Sequence, residues 1–189
     1  MNKFLRALNE RFGGDWGSFS DFGYFYRKPA GRIVAGFVLE RTPYSRYIWR
    51  FALPICGRPY VPGLSFSDRI SAEGPGKFDP SRVADIVAPF VDEALQYSDP
   101  ATFVHRFPDR LAHPVVRREF AAVLASLSLF DRAQAELEHS LAQTGWPKAE
   151  GQDEDTRVLL RAVLTRSPAA VAKLLDEWEA LSKAKFGIV

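Results

Sequence analysis

The chain has 189 residues, of which 47% are apolar and 13% aromatic, enough to bury about 70% of the surface its unfolded form exposes, so a disordered or low-complexity class is excluded. The formal charge of +2 divides unevenly: residues 1–78 hold twelve basic and six acidic side chains, a net of +6, and the rest holds thirteen and seventeen, a net of −4. Cys56 stands alone and can form no internal disulfide, no run reaches the length that spans a bilayer, and MNKFLRALNERF is too charged for a signal peptide. A cytoplasmic protein is expected, and its oppositely charged parts read either as ordinary surface charge whose halves attract one another across the fold or as a basic surface aimed at an acidic partner.

Phe4, Leu5, Leu8 and Phe12 recur at helical spacing, which predicts an amphipathic helix over Asn2 to Phe12, stopped by Gly13-Gly14. The period then changes. Tyr24 to Lys28, Arg32 to Arg41 and Arg46 to Cys56 are aromatic and β-branched, separated by Pro29-Ala30-Gly31 and Thr42-Pro43-Tyr44-Ser45, and they read as an antiparallel meander. Ile33, Ala35, Phe37 and Leu39 share one side of the second run, and Tyr47, Trp49, Phe51, Leu53 and Ile55 share one side of the third. The expected sheet has one apolar face and one solvated face. Gly57 to Pro80 reads mainly as loop and as the joint between halves, with a short strand at Phe66 to Ser71.

Asp79-Pro80, Asp99-Pro100 and Ser167-Pro168 each place an N-cap before a proline at the first helical position. The first opens a helix with the stripe Val83, Ile86, Val87, Phe90, Val91 and Leu95, kinked by Pro89; the second opens a brief helix through Phe103. Pro114 to Phe130 and Arg132 to Gln143 form an antiparallel hairpin, Thr144 to Asp155 is polar, and Thr156 to Thr165 and Pro168 to Lys185 complete a helical half. The fold class is α+β: an N-terminal helix and a meander sheet of three to five strands, then a helical C-terminal half packed on the sheet. A strand-rich basic part, 1–78, and a helical part, 79–189, are expected to make one compact unit.

His105, His113 and His139 contain no pair at the spacing by which one helix face presents two metal ligands, so no metal and no cofactor is expected. His105 and His113 flank a proline-broken segment with Asp109, the one place where a loop could assemble an enzyme site. Cys56 ends an apolar strand beside Arg58 and reads as a buried structural thiol. Gly74-Pro75-Gly76-Lys77 lacks the preceding apolar strand and the following Ser or Thr of a phosphate loop. Asp15, Asp21 and the run Asp153-Glu154-Asp155 sit in polar turns, the last as a solvated helix start. The densest cluster lies in the sheet, where cations interleave with rings between Tyr24 and Arg50; Arg27, Arg32, Arg46, Trp49 and Arg50 are its candidate binding residues. Period-2 alternation places Tyr47 and Trp49 opposite Arg46 and Arg50.

Residues 121–143, with Ala121, Ala125 and Ala133, the Phe130-Asp131 turn, and Leu137 and Leu141, resemble one tetratricopeptide-type hairpin, without a second copy at the period of about 34 residues. The order of a helix, GYFYRK and GRIVAGFVLERT resembles an uncharacterised bacterial domain-of-unknown-function family, which implies a helix with antiparallel strands and no activity. The function expected from these residues is that of a non-enzymatic bacterial binding protein, a partner-recognition or toxin-neutralising module whose partner is another protein. Nucleic-acid binding through the basic, aromatic sheet and a His/Asp enzyme are the alternatives.

Overall fold

A computed structural model describes residues 3–19, 23–57, 65–144 and 151–188, apart from the side chain of Asp109; Asp21 and Arg58 also lie outside it. The first helix, α1 (Lys3–Phe12), buries Leu8 and leads into five antiparallel strands in sequential order: β1 (Trp16–Phe19), β2 (Tyr24–Arg27), β3 (Ile33–Arg41), β4 (Arg46–Pro54) and β5 (Ser67–Glu73). The sequence expected α+β with such a meander, and the structure has it. β5 occupies the segment read as the joint between halves and is hydrogen-bonded along β4, from Arg46 opposite Glu73 to Phe51 opposite Ser67.

The sheet departs from its expected form in having two buried faces. In the β3–β4 register Phe37 lies opposite Arg50 and Val38 opposite Trp49. Directly paired residues point to the same side, so the apolar row Ile33, Ala35, Phe37 and the row Trp49, Phe51, Leu53 occupy opposite faces. On the first face, Phe25, Phe37, Ile48 and Trp16 pack with Leu8 and with Val83, Val87, Val91 and Ala94. At the other end of that face Ile33, Ala35, Ala52, Cys56 and Phe66 enter the largest core, with Phe103, Phe107, Phe120, Leu159 and Trp178. On the second face Tyr24, Tyr26, Val34, Val38, Phe51 and Leu53 are covered by Phe186 and Ile188. Gly36 is required at the centre of β3 because a Cβ there would lie 2.0 Å from the Phe25 carbonyl oxygen on β2.

The helices start where the caps place them. Asp79 accepts from the Arg82 amide at 2.9 Å to open α2 (Pro80–Val87), Asp99 accepts from the Thr102 amide and hydroxyl, each at 2.8 Å, to open α4 (Pro100–Arg106), and Ser167 accepts from the Ala170 amide to open α8 (Pro168–Phe186). Pro89 sits in a 3-10 turn (Ala88–Phe90) between α2 and α3 (Val91–Gln96). α4 runs one turn past its expected end, to Arg106, before a second 3-10 turn, Pro108–Arg110.

α5 (Pro114–Ser126) and α6 (Phe130–Ala142) form the hairpin, and α7 (Gln152–Leu164) and α8 follow. α5 is the central helix, its run from Phe120 to Ala125 wholly buried. The acidic run is not a fully solvated helix start: it forms the first turn of α7, where Asp155 is buried at 4% exposure together with Gln152 and Thr156. α8 ends at Gly187, whose left-handed φ of 65° turns the chain back so that Ile188 donates to the Lys183 carbonyl and reaches the sheet. Among the described residues no helix is long and apolar enough to cross a membrane.

Candidate binding surfaces

The five candidate residues of the sheet are dispersed, and each is engaged within the chain. Arg27 donates to the Gly13 carbonyl at 2.6 Å and lies over the Trp16 ring. Arg32 precedes β3 and pairs with Asp176 at 2.6 Å and Glu179 at 3.7 Å on α8. Arg46 pairs with Glu73 at 2.8 Å and donates to the carbonyls of Gly74 and Lys77. The Gly74-Pro75-Gly76-Lys77 segment therefore offers acceptors to a cation where a phosphate loop would offer amides. Arg50, on the same face as Phe37, pairs with Asp68 and Glu93 beneath the rings of Phe90 and Tyr97.

Trp49 belongs to a different surface, on the second face. Its Nε1 donates to Glu40 at 2.9 Å, and its ring lies 6.1 Å from that of Tyr47. Arg69 of β5 stands opposite Trp49 in register, with its guanidinium 5.6 Å from the Tyr47 ring centre and 5.8 Å from that of Trp49. Arg69 is exposed, the two rings are half-buried, and among the described residues no carboxylate pairs with Arg69. Tyr44, in the turn of the same β3–β4 hairpin, is 82% exposed. Arg69 falls within the short strand expected at Phe66 to Ser71 but outside the candidate cluster of Tyr24 to Arg50; the alternation of Asp68 and Arg69 across that strand is the signal that sends the two side chains to opposite faces.

On the opposite side of β5 lies a denser polar cluster. Asp68 accepts from Arg106 at 2.9 Å and Arg110 at 2.7 Å, with Arg50 at 3.4 Å behind it. The Tyr97 hydroxyl donates to Glu93 at 2.8 Å and accepts from Arg106 Nε at 3.3 Å. Hydrogen bonding from Tyr97 and the charge of Arg50 hold the Glu93 carboxyl below its usual range despite partial burial.

His105 lines an open groove of 380 Å³ with Val104, Pro108, Leu127, Leu129 and Arg132. His113 is not part of that lining: its Nδ1 caps α5 by accepting from the Val115 amide at 3.1 Å, and burial lowers its pKa. His139 is exposed on α6. Among the described residues no group of His, Cys, Asp and Glu side chains is arranged to hold a metal ion. Cys56 is a buried free thiol whose pKa burial pushes up to about 12. Close to it, Glu119 of α5 rests its Cγ 3.6 Å from where a Gly57 Cβ would stand, and burial pushes its carboxyl up to about 7 against the pull of Arg118. Compared with known proteins, the chain matches no family model, and neither a curated protein nor a solved structure matches it.

Proposed function

We propose that this chain is a non-enzymatic cytoplasmic binding protein of the partner-recognition or toxin-neutralising kind, which engages another protein through Tyr44, Tyr47, Trp49 and Arg69. The observation that carries the reading is the Arg69 guanidinium lying over two half-buried rings with no carboxylate partner among the described residues. Tyr, Trp and Arg supply most of the energy at protein interfaces, because large rigid rings bury area at little entropic cost and a guanidinium is weakly hydrated. A carboxylate brought by the partner would complete Arg69, whereas Arg27, Arg46 and Arg50 already have acceptors.

The test is capture from host lysate, with and without nuclease, by the parent protein and by the double variant Tyr44→Ala, Arg69→Glu. A stoichiometric, nuclease-resistant protein held by the parent and lost by a folded variant is the expected result. Nuclease-sensitive material lost in the same variant assigns the rings and Arg69 to base stacking and phosphate neutralisation instead. Equal capture by both chains removes this surface from the function.

A further inference from the structure

The geometry points to a second binding site, for a phosphate group, at the Arg106 and Arg110 pair beside β5. It lies on the opposite sheet face from Arg69 and does not depend on the protein-binding reading. One carboxylate, Asp68, holds both guanidiniums: its Oδ2 accepts from Nη2 of Arg106 at 2.9 Å and its Oδ1 from Nη2 of Arg110 at 2.7 Å. Arg50 stands behind that carboxylate, and Tyr97 fixes the Nε of Arg106. The side chain of Arg50 is only 12% exposed, whereas those of Arg106 and Arg110 are 42% and 45% exposed. The inner cation is thus committed to the fold and the outer two face solvent in fixed positions.

Among the described side chains three guanidiniums stand against the carboxylates of Asp68 and Glu93, an excess of one positive charge. Among the described residues Nη1 of Arg106 and both Nε and Nη1 of Arg110 have no protein acceptor. Adjacent planar forks with unused N–H groups suit a tetrahedral oxyanion with several acceptor oxygens, and their alignment by Asp68 removes part of the ordering cost of binding. A dianionic phosphate gains more from two such cations than a chloride or a single carboxylate. Chain segments far apart in sequence make the site: β4 supplies Arg50, β5 Asp68, and the end of α4 with its following turn the two arginines.

The full chain, labelled with 15N, is titrated at constant ionic strength with inorganic phosphate and separately with phenyl phosphate, against sodium chloride, and the arginine Nε–Hε resonances are followed. Saturable shifts at Arg106 and Arg110 are expected, with affinity weakened roughly tenfold or more in Arg110→Gln, as loss of a charge-assisted pair predicts. Arg110→Lys, which keeps the charge and loses the fork, is expected to fold and to weaken binding as well. Binding of phenyl phosphate but not inorganic phosphate identifies a phosphorylated molecule as the ligand; equal binding of both shows that the anion alone suffices. A response to both probes no larger than that to chloride, or equal affinity in the parent and both variants, overturns the site and leaves the arginines as a staple between α4 and β5.

Discussion

Glu119 shows how one side chain can make stability depend on pH. It lies with its Cγ against Gly57, three residues past β4, near Cys56 and beside Arg118, and burial raises its carboxyl pKa to about 7 in the folded chain. The unfolded chain titrates in the ordinary carboxyl range, so between that range and pH 7 the folded state binds more protons and stability falls as pH rises. Glu119→Gln is expected to match the parent near pH 4 and to exceed it by roughly 1–3 kcal/mol at pH 8. Urea unfolding of both chains across this range measures the gap, and a constant gap would refute the shift. Asp99 works in the opposite sense. The Thr102 amide and hydroxyl depress its pKa, so its contribution is present above the carboxyl range and lost as pH falls. Asp99→Ala is expected to cost about 1 kcal/mol at pH 7 and little at pH 3, read as a shift in the same urea midpoint.

At the level of elements, the caps were legible because a cap is local. Asp79, Asp99 and Ser167 each sit before a proline, and no distant contact was needed to see where α2, α4 and α8 begin. The strands were legible in type, while their faces were not. Alternation tells which residues of one strand share a side, but only register ties one strand to the next, and the four-residue turn that sets Arg41 opposite Arg46 makes odd positions of β3 face even positions of β4. That parity moves Phe51 and Phe37 to opposite faces. It also gives Arg50 and Trp49 the separate fates that a composition count merged into one cluster. β5 was legible only as a short strand at Phe66 to Ser71 within a segment read mainly as loop, because it is polar, with Asp68, Arg69 and Glu73 in seven residues, and partners such as Arg106 and Arg110 lie more than thirty positions downstream.

Across the whole molecule, ion pairs join the two parts in both senses, with Arg82, Arg106 and Arg110 of the helical part meeting Glu73 and Asp68 of the strand-rich part. Arg11 pairs with Asp85, Arg32 with Asp176 and Glu179, and Arg50 with Glu93, each a basic group of the strand-rich part meeting an acidic group of the helical part. Such pairs contribute little individually in solvent; the parts are joined chiefly by the core in which Ile33, Ala35, Ala52, Cys56 and Phe66 touch Phe103, Phe107 and Phe120. Residues 1–78 alone are therefore expected to show no cooperative thermal transition and no near-ultraviolet dichroism, since their first face would keep only α1 and lose the cover of the later helices. A sharp transition in that fragment would show instead that α1 and the sheet suffice.

The return of Phe186 and Ile188 to the second sheet face has a bearing on synthesis. Translation delivers all five strands before any of α2 to α8, so Tyr24, Tyr26 and Phe51 emerge from the ribosome well ahead of the side chains that cover them. During that interval the nascent sheet offers aromatic surface to any chaperone that reads exposed rings, and its cover by Phe186 and Ile188 must wait for the end of α8 to be made.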